Sequence, residues 1–337
     1  MKEAMLYRRL DENRVHCFLC SQHCRIEPDK SGKCGVRQNR DGKLWSLVYG
    51  KLVAQHIDPI EKKPLFHFYP GTTSYSIATA GCNFACRFCQ NADISQSPGV
   101  YGEIYGQSVP AVKVAESAKK EGCATIAYTY TEPTIFMEYA LDVAASAKER
   151  GLENIFVTNG YMSREALDEA APLLGAANVD LKSFSDRFYE EQCGARLKPV
   201  LATIEGMKSR GVWLEVTTLI IPGLNDSEAE LKELARFLVG LGPETPWHVS
   251  RFHPAYLLND RGATPVETVG RARQIGLEAG LRYVYTGNVP GDDGENTYCH
   301  SCGTLLIKRI GYSVKRGDLK NGACAKCRTP MRGVGLD

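Results

Sequence analysis

The chain has 337 residues, 43% hydrophobic and 24% charged, which is the balance of an ordinary globular protein with room for one large domain and satellites, or for two domains. Lys and Arg number 41 against 39 Asp and Glu, a net charge of +2, so electrostatics gives no reason to expect nucleic acid or an anionic membrane as partner. No apolar run approaches the ~20 residues of a membrane span, and MKEAMLYRRLDENR lacks the apolar core of a secretory signal; a cytoplasmic protein is expected.

Thirteen cysteines are many for such a chain, and in a reducing compartment metal ligation is their default use. The first group, in CFLCSQHCRIEPDKSGKCGVR, reads Cys17-x2-Cys20-x3-Cys24-x9-Cys34. Four thiolates so close together suggest a closed site, for which zinc and an auxiliary iron–sulfur cluster fit the spacing equally well, with His23 able to replace one ligand. Residues 1–69 are therefore read as a metal-binding segment and lead-in.

From residue 70 to 291, apolar β-rich runs alternate with helical patterns. The strands are expected at SYSIATA (74–80), ATIAYTY (124–130), NIFVTN (154–159), NVDLK (178–182), VWLEVTTLI (212–220), WHVSRF (247–252) and RYVYTG (282–287). Helices between them are marked by Ser, Asp or Thr caps and by closing glycines. Such repeated units predict an α/β fold with a parallel sheet and right-handed crossovers, here a partial (β/α)6-type barrel. Barrels of this kind do their chemistry at the C-terminal ends of the strands. Unusual polar residues gather there: the cysteine loop after the first strand, Thr131 and Glu132 after the second, Thr158 and Asn159, then Asp180 and Lys182, Thr217 and Thr218, Arg251 and His253, and Asn288. Each alone is explicable as a turn or cap; together on one rim they favour a functional reading. Cys123 and Cys193 stand alone and read as small buried hydrophobes.

The loop GCNFACRFCQN carries Cys82, Cys86 and Cys89 in the spacing Cys-x3-Cys-x2-Cys, with no fourth cysteine near in sequence. Three thiolates suit a cubane iron–sulfur cluster whose fourth iron keeps open positions, and an open position means chemistry. The bland alternative is a zinc site completed by a distant residue. CNFACRFC resembles the signature of the radical S-adenosylmethionine (SAM) enzymes. CRFCQNADISQ, YTYTEPTIFMEY, VTNGY, VDLKSF, TTLIIPGLND, RFHP and YTGNVPG resemble the pyruvate formate-lyase activating-enzyme branch, and more closely the radical SAM member of the AmmeMemoRadiSam systems.

That resemblance implies a 4Fe-4S cluster on Cys82, Cys86 and Cys89, with SAM bound to its open iron. Reduction by an external low-potential donor, a ferredoxin or flavodoxin, would cleave SAM to methionine and a 5′-deoxyadenosyl radical that takes hydrogen from the substrate. Glu132 stands where the family accepts hydrogen bonds from the SAM amine, although TEP replaces the commoner Gly-Gly-Glu. Lys182 would pair with the SAM carboxylate, Asp180 with its ribose or amine, Asn159 and Thr217 with the ribose, and His253 with ribose or substrate. Phe88 and Tyr128 are candidates to pack on the cluster or adenine, or simply core.

Residues 292–337 hold two Cys-x2-Cys knuckles, Cys299/Cys302 and Cys324/Cys327, separated by 21 residues of hairpin-like alternation. That layout predicts a closed zinc-ribbon or rubredoxin-like site, structural in role, with Zn as the metal. The target of the radical stays open between an unidentified protein residue or small molecule and the glycine of a glycyl radical enzyme. A non-catalytic metal-binding scaffold is the remote third reading.

Overall fold

The computed structural model describes every residue except Glu103 and Asp337. Among the described residues eight strands form one sheet: β1 (Ala54–Pro59), β2 (Thr73–Ala78), β3 (Thr125–Tyr128), β4 (Glu153–Thr158), β5 (Ala176–Asp180), β6 (Trp213–Ile220), β7 (Trp247–Arg251) and β8 (Val284–Gly287). They lie in simple sequence order, β2 to β8 parallel and β1 antiparallel to β2. Six helices make the crossovers: α1 (Ala111–Lys120), α2 (Met137–Lys148), α3 (Arg164–Ala170), α4 (Leu197–Ser209), α5 (Glu228–Leu241) and α6 (Val266–Glu278). Helices α3 and α5 begin as the sequence suggests, Ser163 and Ser227 accepting from Ala166 N and Glu230 N. Helices α1 and α6 instead follow Pro110 and Pro265, whose fixed φ pre-sets the chain for a helix. Among the described residues no helix is long and apolar enough to cross a membrane.

Two features were absent from the sequence expectation. Strand β1 places the start of the sheet upstream of residue 70, and the segment between β1 and β2 runs into the barrel. There Ile60, Leu65 and Phe68 pack on Ala127, Ile155 and Ala176. These inward residues of β3, β4 and β5 are small or medium-sized because the plug, not opposing strands, fills the interior. The barrel stays open, since β1 and β8 are the sheet edges and do not pair with each other.

Period-two alternation on β6 turns Glu215, Thr217 and Leu219 inward and Leu214, Val216 and Ile220 towards the helices. Glu215, wholly buried, accepts from Phe66 N (3.0 Å), His67 N (2.8 Å), Trp213 Nε1 (3.1 Å) and His248 Nε2 (2.7 Å). From there the network continues outward. Tyr285 Oη lies 2.6 Å from His67 Nε2 and 2.9 Å from Thr297 Oγ1, and Arg309 donates to Thr297 Oγ1 (2.7 Å) and to Phe66 O (2.8 Å). Thr297 and Arg309 belong to the C-terminal antiparallel sheet of Thr297–Tyr298, Leu305–Ile310 and Ser313–Arg316. The C-terminal module is thereby tied to plug and barrel through one buried polar chain. The N-terminal segment forms two small antiparallel sheets, Lys2–Glu3 with Lys43–Ser46 and Arg37–Arg40, and Tyr7–Arg9 with Val15–Cys17 and Arg25–Ile26.

Burial pushes the His67 pKa down to about 4, against the pull of Glu215. Its ordinary value in the unfolded chain is ~6.5, so between the two the unfolded state holds the extra proton. Stability is full above pH 6.5 and falls as pH drops towards 4, by about 2 kcal/mol from this group between pH 7.5 and 5. Urea-denaturation midpoints at those two pH values should differ correspondingly less in a His67→Gln variant than in the parent.

Candidate active site

The C-terminal ends of the strands surround a cavity of about 530 Å³, within the range of small-molecule and cofactor sites. Cys82, Cys86 and Cys89 line it, as do Glu132, Asn159, Asp180, Lys182 and Thr217, together with Thr131, Thr158 and Asn288. Alternation explains the grouping, because inward positions at the ends of successive parallel strands must converge. The same rule turns Thr218 away: its hydroxyl donates to Leu181 O at 2.9 Å on the helix side. Arg251 is engaged with Thr264 O (2.7 Å), and His253 is exposed and does not line the cavity. The chain turns outward after β7, which leaves His253 on the rim's outer side.

The cysteine loop is held from beneath by a π-helix, Tyr189–Cys193. Ala85 N donates to Cys193 O and Arg87 N to Gln192 O, both at 2.9 Å. The buried Cys193 thiol lies close enough to Cys86 to interact with it, so a cysteine distant in sequence stands beside the loop. Nothing in the sequence spacing announces that meeting. Cys89 Sγ lies 3.3 Å from Ser95 Oγ.

Glu132 clamps the strand ends. Its Oε1 accepts from Thr134 N (3.0 Å), the Thr134 hydroxyl (2.5 Å) and the Thr158 hydroxyl (2.7 Å), and its Oε2 from Asn159 N (2.8 Å). Burial raises its pKa despite those donors. Asn159 Nδ2 reaches Asn83 Oδ1 at 2.7 Å and lies 3.8 Å from Cys82 Sγ. Lys182 Nζ sits 2.9 Å from Asp180 Oδ2 and 5.7 Å from the centre of the Phe88 ring. Burial alone would lower the Lys182 pKa, but Asp180 first, and then Cys86 and Cys193, together hold the ammonium well above its usual range. Thr217 donates to Asn178 Oδ1 (2.9 Å). Phe88 lines the cavity; Tyr128 is core, its hydroxyl 3.0 Å from Asn154 Oδ1.

Sequence reasoning missed one wall. Lys62, Lys63 and Tyr130 line the cavity beside β1, where Asp58 binds Lys62 (2.8 Å), Lys63 (2.6 Å) and the Tyr130 hydroxyl. The Lys63 ammonium also lies 4.5 Å from the centre of the Tyr130 ring. The doublet Lys62-Lys63 lies in the lead-in, and only the plug's entry into the barrel brings it to the cavity.

Sulfur spacing separates the cysteine groups. Among the described residues, the C-terminal quartet is the set whose ligand atoms all lie within 4.8 Å of one another, with Cys299–Cys327 at 3.5 Å and Cys302–Cys324 at 3.7 Å. A zinc ion with ~2.3 Å bonds sets neighbouring sulfurs about 3.8 Å apart, so this quartet is sized for one tetrahedral ion. The Thr329 hydroxyl beside Cys327 helps hold that thiol down to about 6, towards the thiolate a metal needs. Cys82, Cys86 and Cys89 are not gathered within that distance, which fits the wider spread of a cubane better than a single ion.

Comparison with known proteins agrees. The radical SAM superfamily profile matches residues 76–238. An uncharacterized protein of Methanocaldococcus jannaschii is 46% identical over 330 residues, 97% of this chain and 98% of that one. The isethionate sulfite-lyase activating enzyme of Nitratidesulfovibrio vulgaris is 27% identical over 173 residues, covering 50% of this chain and 56% of that protein, so the chain spans little more than half of that relative. The crystal structure of Streptococcus suis SuiB bound to S-adenosylmethionine superposes with a TM-score of 0.51 at 14% identity, over 67% of this chain and 52% of that one, a likeness of fold. The chain carries a radical SAM domain over residues 76–238, and about half of its length is similar to activating enzymes of that superfamily.

Proposed function

We propose that Cys82, Cys86 and Cys89 hold the 4Fe-4S cluster that a radical SAM domain implies, and that the adjoining cavity holds SAM. The observation that carries this reading is the convergence of the three cysteines with a buried carboxylate, an ammonium and a row of amide and hydroxyl groups in one cavity. When bound, the cluster supplies the electron that splits SAM into methionine and a 5′-deoxyadenosyl radical. The protein's part is binding and orientation. Glu132 offers a fixed acceptor to the SAM amine, Lys182 a cation to its carboxylate, and Asp180, Asn159 and Thr217 hydrogen bonds to ribose or amine. His253, exposed on the outer rim, is a candidate for substrate rather than for SAM.

The radical would take hydrogen from a protein residue or small molecule that is still unidentified. Activation of a glycyl radical enzyme is the second reading, favoured by the activating enzymes among the relatives. The reductant is an external low-potential donor of ferredoxin or flavodoxin type, the compartment is the cytoplasm, and the C-terminal quartet holds Zn in a structural role.

Reconstituted, reduced protein given SAM should form 5′-deoxyadenosine, detected by chromatography. A triple variant with alanine at positions 82, 86 and 89 should form none, and equal yields from both would refute the proposal. Replacing Glu132 by Gln puts an amide donor opposite Asn159 N–H or the SAM amine. Equilibrium dialysis should then show SAM binding weakened about tenfold, from a lost charge-assisted bond of 1.5–3 kcal/mol partly compensated, with iron content unchanged. Cys302→Ser with Cys327→Ser should remove about one zinc per chain, measured by plasma mass spectrometry, and leave SAM cleavage in place.

A further inference from the structure

Spacing leaves the N-terminal group open between zinc and a cluster, but the positions of its sulfurs do not. Cys17 and Cys24 face each other across a strand pair, Cys17 N donating to Cys24 O at 2.9 Å. Cys20 sits on the intervening turn, bridged to Met162 on the barrel. Cys34 follows a second turn and closes the fourth side. All four line one small cavity, together with apolar Leu19 and Ile26 and with the polar side chains of Gln22, Lys33, Arg37 and Asn83.

Among the described residues no three of these sulfurs come within 4.8 Å of one another, whereas the C-terminal quartet in the same chain does. A tetrahedral zinc needs neighbours about 3.8 Å apart. Thiolates on an iron–sulfur cluster stand as much as about 6 Å apart, because the metal–sulfide core lies between them. The N-terminal set is therefore less tightly gathered than the C-terminal quartet, a spacing that suits a larger core better than one ion.

The surroundings point the same way. Arg37 is 2% exposed and Asn83 1%, yet Arg37 Nε and Asn83 Nδ2 have no hydrogen-bond partner among the described residues. An unpaired buried donor costs about 1–3 kcal/mol, so two of them at one cavity imply an acceptor that belongs there. Arg37 spends its other nitrogens on Glu138 (2.8 Å) and Met5 O (2.7 Å), which keeps the guanidinium in place beside the cysteines. Sulfides and thiolates of a cluster accept such N–H bonds, and its anionic charge suits the guanidinium.

The site also abuts the SAM loop. A Cβ on Gly81 would lie 2.6 Å from Val36 Cγ1 and 2.9 Å from Cys34 O, so glycine is required immediately before Cys82 for the two cysteine segments to meet. Gln22 Nε2 donates to Asn83 O at 2.8 Å, and Asn83 Oδ1 accepts from the Asn159 amide that lies against Cys82.

We propose that Cys17, Cys20, Cys24 and Cys34 hold a second iron–sulfur cluster, closed by four thiolates and packed against the Cys82 loop, with Arg37 and Asn83 donating to its sulfurs. The assignment stands apart from the reading of the Cys82 site, and its test keeps the two separate. The full-length triple variant, alanine at 82, 86 and 89, is reconstituted anaerobically with both iron, sulfide and zinc offered. It should retain iron and acid-labile sulfide in equal amounts, about two to four of each per chain according to cluster type, with visible absorption that bleaches on reduction. Adding Cys20→Ser to that background should lower the iron or change the electron paramagnetic resonance spectrum, while Arg37→Met should shift the reduction potential. An iron-free triple variant carrying about two zinc ions per chain, or iron without sulfide, would overturn the assignment. If the parent holds no more iron than the triple variant, the Cys82 assignment fails and this one stands.

Discussion

Glu215 is a carboxylate withdrawn from water inside a barrel that does not close, and it is tolerable there because four donors converge on it. Two of those donors are backbone amides of the plug, one is its own strand's Trp213, and one is His248 on the next strand. The carboxylate thus fixes where the plug enters, how deep it goes and which face it presents. A partial barrel cannot fill its own interior from opposing strands. Once Phe66 and His67 are pinned to Glu215, Ile60, Leu65 and Phe68 lie against the small residues of β3, β4 and β5, and the lower half of the barrel becomes solid. The remaining space is open only towards the strand C-termini, where the cavity is.

The same anchoring explains why both ends of the chain matter to the centre. Through His67, Tyr285 and Thr297 the Glu215 network reaches Arg309, whose guanidinium also lies 4.1 Å from the centre of the Phe66 ring. The C-terminal module packs on Phe66, Tyr283 and Tyr285, and Tyr312 at the turn of its hairpin lines the cavity. At the other end, the Cys34 carbonyl and the Val36 side chain press on Gly81, and Lys33 Nζ bonds Gly194 O at 2.6 Å, just past the π-helix that carries the cysteine loop. The loop is therefore squeezed between two segments that are distant in sequence, so its three sulfurs are positioned by tertiary packing rather than by the loop's own conformation.

Seven of the eight strands and all six crossover helices were legible because each buries a regular face, and a regular face leaves a period in the sequence. AQHIDP, which forms β1, leaves none. It is an edge strand, half-exposed, whose Asp58 is inward for the sake of Lys62, Lys63 and Tyr130. The cavity wall that those lysines form was illegible for the same reason, since it depends on a plug without periodic structure. The rim residues were legible wherever strand phase decided their direction, as for Asn159, Asp180 and Thr217. His253 lies beyond the end of β7, where phase no longer constrains direction. Cys193 is the buried small side chain that the sequence suggests, and a π-helix brings it near Cys86 by a route that spacing does not encode.

The two terminal quartets show how far spacing can be trusted. Both offer four cysteines, and the Cys-x2-Cys knuckles of the C-terminal one state their geometry in the sequence, since each knuckle brings two sulfurs to one ion without help. The N-terminal group has a single such knuckle, and its other two cysteines come from the position just before a strand, Cys24, and from a turn, Cys34, whose distance apart is set by the small sheets around them. Its size is a tertiary property. So are its surroundings, because the polar groups beside it include Arg37, which is held by Glu138 on α2, and Asn83 in the Cys82 loop. One of the polar groups beside the N-terminal cysteines, Asn83, is thus supplied by the Cys82 loop itself. The close approach at Gly81 makes the two cysteine segments one packing unit.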